Sequence, residues 1–155
     1  MAEIGTGARP DELLEVFKRT IEHINPRIRP SIRFKRKSRT ATPSMNTRTF
    51  LAKWDLSWSD SDSPLVNNFV YGVKQGLNII VDYSIKEQDD PESLYSDDAR
   101  IIRDALHNLT VIANGPNGLV LVEWKDAELV TQDSMDTFQV NFKYEITYTY
   151  ELYRG

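Results

Sequence analysis

From Phe138 to Leu152 the chain alternates without a break. Phe138, Val140, Phe142, Tyr144, Ile146, Tyr148, Tyr150 and Leu152 are apolar or aromatic, and Gln139, Asn141, Lys143, Glu145, Thr147, Thr149 and Glu151 between them are polar. Successive side chains of a strand point to opposite faces, so a period of two predicts one face on a core and one toward water. Fifteen residues at the usual rise span roughly 50 Å, where strands commonly run to about five or six residues. A fold built around this strand must bend it or let it reach beyond the body of the subunit.

The remaining pattern supplies two helices and shorter strands. Pro10 and Asp11 open a helix through Ile24, with Leu13, Leu14, Phe17, Ile21 and Ile24 on one face and Glu12, Glu15, Arg19 and His23 on the other. Residues 1–9 read as a mobile lead-in. Ile32 and Phe34 alternate with Arg33 and Lys35, and Phe50, Ala52, Trp54, Leu56 and Trp58 alternate with Thr49, Lys53, Asp55 and Ser57. These predict two strands forming a basic hairpin around the long loop Ser38–Thr47, longer than the usual hairpin connection of about 2–5 residues. Having no apolar anchor, the loop is expected to order only in an assembly. Ser59–Ser63 reads as an acidic turn, and Leu65, Val66, Phe69, Val70 and Val73 as a short helix. Leu77–Ile85 is an alternating strand. Ser96, with Asp97 and Asp98, starts a second helix burying Ile101, Ile102, Ala105, Leu106 and Leu109. Asn114–Gly118 is a turn and Leu119–Trp124 a short buried strand. Segregated helices and strands without β-α-β alternation predict a single α+β domain over residues 1–155, with an antiparallel or mixed sheet against two helices. Trp54, Trp58 and Trp124 are expected in its core.

Charge is divided along the chain. Nine basic residues and no acidic one lie between Arg27 and Lys53. Residues 1–54 hold 12 Lys and Arg against 5 Asp and Glu, and the remainder holds 7 against 18. Such a split suits a polyanion on one side, or a copy of the same subunit meeting it head to tail. Arg33, Lys35, Arg36, Lys37, Arg39 and Arg48 are the candidate contact residues, to a neighbouring subunit or non-specifically to passing DNA. No aromatic stacking platform or reading helix accompanies them. The absence of Cys excludes disulfides and thiolate metal sites and fits a reducing compartment. No apolar run approaches the roughly 18 residues of a membrane span, and the N-terminus lacks the pattern of a signal peptide. No membrane partner is expected.

One motif carries chemistry. Glu123-Trp124-Lys125 has the acid-x-lysine pattern of metal-dependent nucleases, in which carboxylates hold a divalent cation and the lysine helps orient water. Asp82 or Asp104 would be the second carboxylate. Against it, three-residue matches are frequent and lysine is common at strand ends. His23 and His107 lie on polar helix faces with no ligand partner at helical spacing. No phosphate loop, nucleophile elbow or zinc spacing is present, and no cofactor is implied.

The order of elements resembles the tail terminator proteins of tailed bacteriophages. The likeness runs through the helix Asp11–Ile24, the hairpin with loop Ser38–Thr47, Asn67-Asn68-Phe69-Val70-Tyr71 leading into Leu77–Ile85, the helix Ser96–Leu109, and the strand from Phe142-Lys143-Tyr144 to Tyr148-Thr149-Tyr150. It covers most of the chain, as architecture without a residue motif. The resemblance implies a structural virion protein, not an enzyme, that forms a ring, commonly a hexamer, on the last tail-tube ring and faces the head connector. Its partners would be its own copies, the tail-tube protein and the head-connector or neck protein. A head-completion protein is the alternative within that class, and the nuclease using Glu123 and Lys125 the alternative outside it.

Overall fold

The structure is a computed structural model that describes residues 7–24, 32–40, 42–44, 47–65, 70–84, 91–112, 116, 118–130 and 137–151. The elements run α1 (Pro10–Glu22), β1 (Arg33–Arg36), β2 (Thr47–Leu65), β3 (Val70–Ser84), α2 (Pro91–Asn108), β4 (Leu119–Val130) and β5 (Thr137–Glu151). One five-stranded sheet has the order β1-β2-β3-β5-β4. The β1–β2 pair is parallel and the other three pairs are antiparallel, so the fold is α+β with a mixed sheet.

The long C-terminal strand sits where its alternation requires. β5 lies between β3 and β4, paired with β3 from Val70↔Glu151 to Ser84↔Thr137. Its even-numbered residues Phe138 to Tyr148 are buried. Opposite them on β3 stand Leu77, Ile79, Val81 and Tyr83, also buried. Leu13, Phe17 and Ile21 of α1 and Ala99, Ile102 and Leu106 of α2 close the same core. Each fully buried Leu, Ile or Phe there is worth about 1.5–3 kcal/mol of transfer free energy. A phenol and an indole tie the layers together: the Tyr144 hydroxyl donates to the Ala99 carbonyl at 2.8 Å and the Trp54 indole N–H to the Pro10 carbonyl at 2.9 Å.

Several expectations are corrected. The basic segment is no hairpin, because β1 runs parallel to β2, from Arg33↔Thr47 to Arg36↔Phe50. The Lys37 N–H reaches the Phe50 carbonyl at 2.8 Å, and the Ser44 N–H reaches that of Thr47 at 2.8 Å, so both ends of the connection are tied to the sheet. β3, α2 and β4 form a split β-α-β unit with β5 inserted, an alternation the sequence reading did not anticipate. The turn expected at Ser59–Ser63 lies inside β2. The short helix expected from Leu65 is strand at every described position: Leu65 ends β2, and Val70 and Val73 belong to β3. Both stretches are rich in β-branched residues or short polar ones, which a paired strand accommodates. The helix around Leu106 begins five residues before Ser96, at Pro91.

Residues 7–9 of the expected lead-in are docked. Ala8 is buried, and its N–H donates to the Thr149 carbonyl at 2.5 Å. Thr149 in turn donates to the Gly118 carbonyl at 2.8 Å. Gly118 has φ +83, and a Cβ there would stand 2.4 Å from the Ala8 nitrogen. Only glycine meets both demands cheaply. Residues 1–6, Asn67–Phe69, Ile85 and Leu152 lie outside the described residues.

Candidate assembly surface

The six candidate basic residues separate into two groups. Arg33, Lys35, Lys37 and Arg39 are exposed on β1 and just beyond it. Arg36 is half-buried on the helix side, where its Nε donates to Glu22 at 2.6 Å and its Nη2 to Glu15 at 2.7 Å. That bond holds the Glu15 carboxyl below its ordinary value and raises the guanidinium. Lys37 reaches Asp82 at 3.4 Å, and Asp82 also accepts from the Thr49 hydroxyl at 2.9 Å.

Arg48 does not belong to the surface. It is 0% exposed, its Nε lies 2.6 Å from Asp98 Oδ2, and its guanidinium carbon sits 5.2 Å from the centre of the Tyr83 ring. Tyr83 donates its hydroxyl to the same carboxylate oxygen at 2.8 Å. Burial pushes the Tyr83 phenol well above its ordinary value, reinforced by the charge of Asp98; burial does the same to Tyr144. Sequence reasoning grouped Arg48 with its basic neighbours. The available signal was its parity, since Arg48, Phe50, Ala52 and Trp54 all take the core face.

The opposite edge of the sheet is acidic and apolar. β4 was expected to be short and buried; it runs twelve residues, and of its side chains only Val122 is fully enclosed. Glu123, Asp126 and Glu128 accompany a single lysine, Lys125, and Val120, Leu121, Trp124 and Leu129 are exposed apolar residues. Trp124 is 42% exposed, against the expectation of a core position, although it still packs on Tyr144 and Phe142 with ring centres 5.4 and 6.1 Å away. A cleft of about 680 Å³ runs between α2 and β4, walled by Arg100 and Arg103 on one side and Trp124 and Asp126 on the other.

A third surface lies at the far end of β2. Leu56 is 98% and Trp58 61% exposed, although the alternation placed both in the core. The cause is geometric. The first residue of α1 meets the sheet at Trp54, so the apolar face beyond that point has no helix over it. A register shift between Trp54 and Trp58 also turns residues 55–57 out of phase. Asp55 is held there by the side-chain amide of Asn78, in the space left by Gly76, where a Cβ would stand 2.0 Å from its carboxylate.

The nuclease constellation is not assembled. Lys125 occupies the β4 bulge and pairs with Glu145 at 3.7 Å, Asp82 is committed to Thr49 and Lys37, and Asp104 pairs with its neighbour Arg103 at 2.8 Å. Among the described residues no group of three or more His, Asp and Glu is placed to hold a metal ion. His23 Nδ1 is 2.6 Å from the Arg19 carbonyl. His107 is half-buried rather than solvated, and its Nδ1 receives no hydrogen bond from any described residue. No helix among the described residues is long and apolar enough to cross a membrane.

Comparison with protein-family models and with curated proteins gives no match for this chain.

Proposed function

We propose that the chain is a structural subunit of a phage virion, forming a ring that stops the growth of a tail tube and joins it to the head connector. The observation that carries this reading is the placement of charge: exposed Arg33, Lys35, Lys37 and Arg39 lie at the β1 edge, and Glu123, Asp126 and Glu128 on β4, the strand at the other end of the sheet. A ring closes through heterologous contacts, which need two different and complementary patches on each subunit. Of the elements that carry the likeness to tail terminators, α1, α2, the strand from Leu77 and the long β5 are present, whereas the hairpin around Ser38–Thr47 is replaced by a parallel pair. A head-completion protein would use the same ring and differ in the ring it docks on.

Light scattering on the purified protein tests the ring, and a subunit that stays monomeric at every concentration overturns it. The variant pair Lys35→Glu with Arg39→Glu has two acidic edges; Asp126→Lys with Glu128→Lys has two basic ones. Each pair alone is expected to assemble at least tenfold more weakly, and an equimolar mixture to assemble again as alternating subunits. The assembled protein is then added to polymerising tail tube. Shortened tubes capped at one end support the terminator role, and tubes of unchanged length with bare ends overturn it.

A further inference from the structure

The two ends of the sheet are open edges of unusual length. β1 covers β2 only from Thr47 to Phe50, so that among the described residues Leu51–Leu65 has no outer partner strand, and β4 is the other outermost strand over Leu119–Val130. Unpaired edges of this length template pairing with another chain unless charge, proline or bulges protect them. Both carry exposed apolar side chains, Leu51, Leu56 and Trp58 on one and Val120, Leu121, Trp124 and Leu129 on the other.

We infer that β4 of one subunit adds antiparallel to the free edge of β2 in the next copy, making one continuous sheet around the ring. This rests on the ring reading above and names its contact.

Three features of the sheet carry the inference. The first is direction. β2 and β5 run one way and β3 and β4 the other, so a neighbour related by rotation about an axis along the strands presents an antiparallel edge. That pairing is somewhat more stable per residue than a parallel one.

The second is register. Pairings cross the sheet as level rungs: Lys53–Asn78–Lys143–Asp126, Trp54–Leu77–Tyr144–Trp124 and Leu51–Ile80–Asn141–Glu128. Rotation without axial offset therefore brings Asp126 opposite Lys53 of the next copy on the polar face, and Trp124 opposite Trp54 on the apolar face. Opposite charges and aromatic pairs across strands each favour a register by about 0.2–1 kcal/mol.

The third is shape. One of the two register shifts in β2 follows Trp54 and one of the two in β4 follows Trp124. Those residues share a rung, and because β2 and β4 run in opposite directions the two shifts lie on either side of it. Bulges bend the strand that carries them. Both edges are therefore bent next to the Trp54–Trp124 rung, so that a bent edge meets a bent one and not a straight strand. β1 then acts as a stop. It fills the outer position at the rungs of Leu129 and Val130, so the added strand ends with Glu128 beside the basic residues of β1.

The chain contains no Cys, so introduced thiols report the contact directly. The double variant Lys53→Cys with Asp126→Cys, oxidised mildly while assembled, is expected to give a disulfide ladder on denaturing gels up to the full ring, and each single variant none. Lys53→Cys with Glu128→Cys covers an offset of two residues along the strands, away from β1. An oligomer by light scattering that forms no ladder with either pair overturns the continuous sheet and leaves the ring reading standing. Dimers from a single variant overturn it too, because they mean that like edges meet. A protein that never oligomerises removes both readings.

Discussion

Arg48 puts a guanidinium with no exposed surface beside the Asp98 carboxylate and over the Tyr83 ring. Desolvation offsets most of the attraction in such a pair, so replacing both partners by apolar residues of similar volume is often neutral. Removing one leaves a bare charge. Arg48→Met or Asp98→Leu alone is therefore expected to cost about 3–5 kcal/mol, whereas the two combined cost far less than the sum of the single changes. Urea denaturation of the four proteins measures this. Strictly additive losses would show that the ion pair contributes nothing beyond two separate buried side chains.

At the level of elements, α2 hangs on two phenols: Tyr83 from β3 to Asp98 and Tyr144 from β5 to the Ala99 carbonyl. Both phenols are raised well above 10.0 in the folded chain, mainly by burial. The folded state then holds protons that the unfolded state releases above pH 10.0. Stability is full below that value and falls as pH rises toward the folded pKa values. Tyr144→Phe is expected to flatten the alkaline loss, read as the slope of unfolding free energy against pH; an unchanged slope would assign the loss to other groups. The sequence made these elements legible wherever one face is continuously buried, as in α1, the core-facing part of α2, β3 beyond Leu77 and β5 from Phe138 to Tyr148. It misled where an apolar period continues past its cover. Leu56 and Trp58 keep the alternation of Phe50 and Ala52, but nothing in the pattern says where α1 begins to shield them. The basic edge was legible as composition, apart from Arg48. The parallel sense of β1 was not, because four residues carry no information on direction. The exposed acidic edge at β4 was missed because Leu119–Val122 reads as interior.

The molecule as a whole is a sheet with helices on its apolar face and an opposite charge at either end of its strand order. Exposed charge pairs are screened over about 8 Å at physiological ionic strength. A ring held by the two ends should loosen as salt rises, yet retain the share owed to Trp124, Leu129 and the paired edges. Sedimentation across a salt series would separate the two contributions, and complete indifference to salt would remove charge from the contact.

The tied ends of the β1–β2 connection have a consequence for the covalent chain. Arg39 is exposed between Lys37, bonded to Phe50, and the Ser44–Thr47 pair. A single tryptic cut after Arg39 leaves α1 and β1 on one piece, with Leu13, Phe17, Ile21 and Phe34 still seated in a core supplied by the other. The nicked protein should therefore run as one particle under native conditions and as two bands once denatured. Peptide continuity at that point is dispensable for the finished fold, and the two pieces, made separately, should find each other and complement.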